Sequence, residues 1–166
     1  RNKLDEIELS CPFKTRDQKV LREWIDYNGH MNVAYYSLAF DKSLDFFFED
    51  VLGIGPTYVS EQAKGPFALK AGYHYFSELL VGEEFYVDLS ILEYDLKKVH
   101  LCGEMRKSES RDLSAVFETV LMNVDLKKRK AIEYPQKVLK ILETLKATLK
   151  INKLPNVIGK KISINR

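Results

Sequence analysis

Apolar and polar positions alternate with two different rhythms along the chain. From Asn32 to Leu52 the residues Ala34, Tyr35, Leu38, Ala39, Leu44, Phe47, Phe48 and Leu52 recur at helical spacing and leave almost no polar face. Asn32 is placed to cap this helix, since its side-chain oxygen can accept from the first free amides. Gly53, Gly55 and Pro56 stop it. So apolar a helix has to be wrapped by other structure. Beyond it the period drops to two. Tyr58–Ala63 and Phe67–Leu79 are expected strands, broken by Lys64-Gly65-Pro66. Phe85, Val87, Leu89 and Ile91 then alternate with Tyr86, Asp88 and Ser90, and Val99, Leu101, Gly103 and Met105 alternate with His100, Cys102 and Glu104. Leu113–Val124 is a further β-branched and apolar run. Short polar turns such as Asp95-Leu96-Lys97-Lys98 imply antiparallel pairing. After Pro135 the helical period returns at Val138, Leu142, Leu145 and Leu149. At the start, residues 1–12 show no period and Phe13 to Glu23 holds a polar strand. The last dozen residues read as an irregular tail.

One strand, one buried helix, then a run of antiparallel strands that must wrap it is the element order of the hotdog fold. The expectation is an α+β protein: a long central helix wrapped by a five- to six-stranded antiparallel sheet, plus a C-terminal helix. It reads as one domain over 1–166, with a core at about 12–135 and a C-terminal helix and basic tail at 136–166. A sheet of this size keeps exposed edges. Edge-to-edge pairing of two copies removes one, so a homodimer or homotetramer is expected.

Composition narrows the class. The 166 residues are 45% hydrophobic and 30% charged, an ordinary globular mix, and no stretch reaches membrane-spanning length. Cys11 and Cys102 match no metal spacing and no disulfide framework, and read as reduced thiols of a cytoplasmic protein. The net charge of +2 is unevenly placed: residues 127–166 carry twelve Lys/Arg against two Glu, leaving the first 126 residues at −8. A basic end of this kind attracts phosphates or acidic partners. No aromatic residues interleave those lysines, so no nucleic-acid partner is expected, and no membrane partner either.

Candidate chemistry concentrates in WIDYNGHMNVAYY, Trp24 to Tyr36. Asp26 lies a few residues before the helix, whose first free amides, near Asn32 and Val33, form a partial positive pole. A thioester carbonyl laid on those amides would be polarised and its oxyanion stabilised. Asp26 could attack that carbonyl or activate a water. Asn28 and His30 could hydrogen-bond the carboxylate, the water or the carbonyl, and Gly29 permits the close backbone approach. The bland alternative is that these residues are caps and turn formers.

Asp26-Tyr27-Asn28-Gly29-His30-Met31-Asn32, followed by Tyr35 and Tyr36, resembles the D-x-N-x-H-[VM]-N-x-x-Y signature of hotdog acyl thioesterases. Asp26 and Gly29 also match the D-x-x-G element of the 4-hydroxybenzoyl-CoA thioesterase family. The resemblance implies that Asp26 is nucleophile or base and that the amide of Val33, or of Asn32, binds the thioester oxygen, with Asn28 and His30 assisting. Tyr75-Phe76-Ser77-Glu78-Leu79 resembles the Y-x-x-E element on the following strand and adds Glu78. Across roughly residues 20–135 the order and spacing of segments are similar to the small thioesterases associated with carnitine catabolism, some of which hydrolyse betainyl-CoA. This implies an acyl-CoA substrate and no metal or organic cofactor. A quaternary ammonium would want aromatic faces, and Trp24, Tyr27, Tyr35, Tyr73 and Tyr75 are available. The alternatives are a medium- or long-chain acyl-CoA or acyl-carrier-protein thioesterase, and a non-catalytic acyl-CoA binder. A binder would not need Asp26.

Overall fold

The computed structural model describes residues 8–165. Most of the expected leader, residues 1–7, lies outside them. The chain order is β1 (Phe13–Lys14), β2 (Gln18–Lys19), α1 (Val33–Phe46), α2 (Pro56–Gln62), β3 (Lys64–Tyr75), β4 (Glu84–Tyr94), β5 (Lys98–Lys107), β6 (Leu113–Asp125), β7 (Lys130–Ala131) and α3 (Gln136–Ala147). The strands form one antiparallel sheet in the order β1-β4-β5-β6-β3, with β2 on β4 and β7 on β6. This is the hotdog arrangement of a long helix held by an antiparallel sheet.

Asn32 starts α1 as expected: its Oδ1 accepts from the Ala34 amide at 2.9 Å. The helix then widens into a π-helical turn over Phe47–Leu52 and ends at Gly53. Tyr36, Ala39, Phe40, Ser43 and Leu44 are buried, while Val33, Ser37, Leu38, Asp41 and Lys42 are exposed. Burial of α1 within one chain is therefore one-sided. All-round burial comes only in the π-helical turn, where Phe47, Phe48, Val51 and Leu52 are covered. Beneath α1 the rings of Phe40 and Phe117 pack at 4.4 Å between centroids.

Phe85, Val87, Leu89 and Ile91 of β4 are all buried, but so are Tyr86 and Ser90 on the opposite face, so the strand is covered on both sides rather than half-buried. The β4–β5 turn is closed by Asp95, whose Oδ1 accepts from the amides of Lys97 and Lys98 at 2.8 and 2.7 Å.

Five expectations need correction. Tyr58–Ala63 is not a strand; α2 starts at Pro56, the first helical position, which suits a residue with no N–H to donate. The Lys64-Gly65-Pro66 break is part of β3. A Cβ on Gly65 would stand 2.6 Å from the Val59 side chain, so only glycine lets α2 pack this closely on β3. Pro66 is tolerated because β3 is the sheet edge and, among the described residues, pairs only with β6. That strand ends at Tyr75, so Glu78 lies on the loop after it. Phe13 to Glu23 is two two-residue strands followed by a 3-10 turn at Arg22–Trp24. Finally, the tail is anchored: Val157 is only 1% exposed and the Gly159 amide donates to Glu118 Oε1 at 2.7 Å. No helix among the described residues is long and apolar enough to cross a membrane.

Candidate active site

The loop before α1 is a tight hairpin. The Asp26 amide donates to the His30 carbonyl and the Gly29 amide to the Asp26 carbonyl, both at 3.1 Å, and Ile25 and Met31 form an isolated bridge. Gly29 has φ of +82°, a left-handed conformation that strains other residues. Asp26 Oδ1 accepts from the Asn28 amide at 2.8 Å, an Asx turn. The turn-forming reading and the reactive reading thus apply to the same carboxylate.

Two further bonds hold this hairpin. The Asn32 amide donates to the Trp24 carbonyl at 2.8 Å and closes its base, and the Met31 amide donates to the Leu79 carbonyl at 2.9 Å and fixes it to the fold. The second bond ties the loop after β3 to the start of α1. Glu78, exposed, is the residue next to that anchor. The Tyr36 hydroxyl lies in the same neighbourhood. Burial raises its pKa and the carboxylates of Glu78 and Glu83 add to the rise, against hydrogen bonds with Ser114 and the Leu79 backbone.

At the helix start Asn32 satisfies two donors: Oδ1 takes the Ala34 amide and its carbonyl takes the Tyr35 amide at 3.0 Å. The Val33 amide has no acceptor among the described residues, and Val33 is 61% exposed. A free donor at the positive end of a helix, one short hairpin away from a carboxylate, can hold a carbonyl oxygen while that carboxylate or a water attacks.

The structure draws Asp26, Gly29, His30, Asn32, Val33 and the Glu78 segment to one end of α1. Asn28 is exposed on the turn, and His30 is half-buried with Nδ1 3.4 Å from the Met31 carbonyl. Tyr35 is turned to the Trp24 ring, stacked at 5.6 Å between centroids. Trp24 also carries the Lys42 ammonium 5.2 Å from its ring centroid. Tyr73 and Tyr75 stack on each other at 6.4 Å, with Tyr36 against Tyr75 at 5.1 Å. Tyr27 is 96% exposed. The five aromatics proposed for an ammonium therefore form two stacked pairs and one exposed ring, not one cage. The thiols are poor nucleophiles: both are free and buried, and burial, with Glu104 and Glu118 adding, pushes Cys102 up to about 12.

Sequence reasoning missed Tyr36, Leu79 and Ser114. Tyr36 lies one turn into α1, while Ser114 and the Leu79 segment come beside it through the β3–β6 register, with Tyr75 opposite Ala115. No local spacing signals that.

Comparison with known proteins identifies the family. The "Thioesterase-like superfamily" profile matches residues 20–142. The betainyl-CoA thioesterase of Pseudomonas aeruginosa is 25% identical over 156 residues, covering 94% of this chain and 98% of that one. The L-carnitine dehydrogenase/betainyl-CoA thioesterase of Rhizobium meliloti is 28% identical over 139 residues; the match covers 84% of this chain but only 28% of that larger protein. Among solved structures, a Staphylococcus aureus protein in complex with CoA superposes with a TM-score of 0.82 at 28% identity, covering 90% of this chain and 94% of that one.

Proposed function

This chain belongs to the thioesterase-like superfamily, and from that premise we propose that it hydrolyses the thioester of a small acyl-CoA, giving a carboxylic acid and free CoA. The observation that carries the reading is the Asp26 hairpin folded against the unmatched Val33 amide at the start of α1. In this reading Val33 N–H, helped by the helix dipole, holds the thioester oxygen as negative charge develops on it. Such a donor contributes about 10²–10³ in rate. Asp26 attacks the carbonyl carbon or removes a proton from the attacking water. His30 and Asn28 orient the water or the carboxylate, and Glu78 approaches the same end of the helix from the loop after β3. Asn32 and Gly29 shape the backbone, and Tyr35 with Trp24 forms a wall. No metal or organic cofactor is needed for this hydrolysis.

Betainyl-CoA is the leading acyl group. It is supported by the names of the relatives above and by aromatic faces on both sides of the helix start. The active form is a homodimer or dimer of dimers, paired through β3. The deciding experiment is a free-thiol release assay over a panel of acyl-CoAs: betainyl, short and long straight chains, and aromatic acyl groups. Release that is fastest with betainyl-CoA supports the full reading. Release of another acyl group keeps the reaction and replaces the substrate. No release from any of them overturns the reading in favour of a carrier-protein substrate or a binding-only role.

A further inference from the structure

A cleft of about 390 Å³ opens between β2 and the outward face of α1, beginning at Trp24, two residues before Asp26. Its chemistry is unusual for a surface groove. Arg16, Lys19 and Lys42 supply three cations. Arg16 is paired with Asp50 at 3.3 Å, but neither Lys19 nor Lys42 is ion-paired among the described residues. The acid in the lining, Asp17, accepts instead from the Ser108 hydroxyl at 2.9 Å. Phe46 and Trp24 provide ring surface, each with a cation over it.

A second observation is independent of the charges. Gln18 donates through Nε2 to the Ala39 carbonyl and to Ser43 Oγ at 3.1 and 3.0 Å, which fixes its amide. Its Oε1 is then buried without a partner among the described residues. Through its two Nε2 bonds Gln18 locks β2 onto α1 and holds the cleft floor rigid, and the cleft offers cations for phosphate beside the Trp24 and Phe46 rings.

We propose that this cleft takes the adenosine bisphosphate half of the CoA substrate, with Lys19 and Lys42 on the phosphates. The assignment rests on the acyl-CoA reading above. Helix α1 sets the spacing: Lys42 is nine residues from Val33, about 13 Å along the axis at 1.5 Å per residue. That is the order of length an extended pantetheine arm spans, so a nucleotide in the cleft and a thioester at the Val33 amide fit one molecule. Lys19 and Lys42 are both exposed, so charge reversal there does not disturb the core.

The test compares one acyl group carried on CoA and on pantetheine, which lacks the nucleotide. Wild type, Lys42→Glu and Lys19→Glu/Lys42→Glu are assayed for kcat and KM, and 3′,5′-ADP is titrated calorimetrically into each. The expected result is a KM for acyl-CoA raised about tenfold or more by the double reversal, with kcat and the KM for acyl-pantetheine unchanged and 3′,5′-ADP binding lost. Equal effects on both substrates, no effect on either, or 3′,5′-ADP binding that survives the double reversal overturns the site. If wild type cleaves neither substrate, the hydrolase reading fails by itself. Calorimetry then decides the cleft: binding of 3′,5′-ADP lost on charge reversal supports it, and no binding to wild type overturns it.

Discussion

At Asp26 a turn-forming acceptor and a reactive carboxylate are the same group, and one substitution separates them. Asp26→Asn keeps an Oδ1 that can still accept the Asn28 amide, held now at 2.8 Å, but removes the charge and the basicity. Thiol release should fall by about 10²-fold or more while thermal stability stays near wild type. Asp26→Ala loses both roles and should also lower the melting temperature. Retained turnover in Asp26→Asn would remove Asp26 from the chemistry. Asn32 gives the complementary case. Asn32→Ala strips the cap from Ala34 N, which costs about 1 kcal/mol, and loosens the amides that flank the thioester oxygen. Lower stability and lower kcat are expected together, both restored by Asn32→Ser, which caps equally well. A kcat that stays low in a stable Asn32→Ser would assign Asn32 a direct contact with substrate. Both residues were legible in the sequence because their partners lie within two positions along the chain. Ser114 and Leu79 were not, because a strand register spanning some 35 residues brings them together beside Tyr36.

Elements were readable in proportion to how local their causes are. The β4 and β5 alternation, the Asp95 turn and the capped start of α1 follow from spacing and short-range hydrogen bonds. Helix α2 was misread because Tyr58 and Val59 favour strands, while the controlling facts are Pro56 at its first position and the space above Gly65. The outer face of the sheet was invisible for the same reason: Cys11, Pro12 and the segment after α3 lie over strand positions that alternation alone leaves to solvent. Cys11, Pro12, Leu149 and Leu154 share a cavity there with Asp88, Glu104 and Arg106. Burial raises the Asp88 carboxyl above its ordinary range and the Glu104 carboxylate adds to this, against Arg106 and Lys14. The folded chain thus holds the Asp88 proton more tightly than the unfolded chain does. The associated stability is complete below the ordinary carboxylate range and is lost as pH rises through the raised value. Asp88→Asn removes the charged form, and Arg106 keeps its 2.8 Å partner Glu104. The variant should melt higher than wild type at pH 7, and the gap should close as pH falls below about 4. Thermal scans from acid to neutral pH check this; a gap that does not change with pH would remove Asp88 as its source.

For the whole molecule, the order β1-β4-β5-β6-β3 leaves two edges of very different quality. One is made of two-residue strands. The other is β3, twelve residues long, hydrogen-bonded on one side only, with Phe67 59% and Leu69 47% exposed. Leu69 is also the extra residue of a bulge between Ala68 and Lys70. A long, apolar, unpaired edge is what soluble proteins avoid unless something pairs with it. An antiparallel meeting of β3 with the same strand of a second copy is isologous and closes as a dimer. The exposed start of α1, with Val33 and Leu38 open to solvent, has the same need: a thioester held at Val33 N–H would face bulk water in one chain alone. Charge on the edge should therefore break assembly and activity together. Wild type should sediment as a dimer or larger. Phe67→Lys/Leu69→Lys should sediment as a folded monomer, with thiol release reduced at least about tenfold although Asp26 and its hairpin are untouched, because a water-excluded site strengthens each electrostatic contact within it. A monomeric wild type with full turnover would show that one chain builds the whole site. A dimeric double variant would move the interface away from β3.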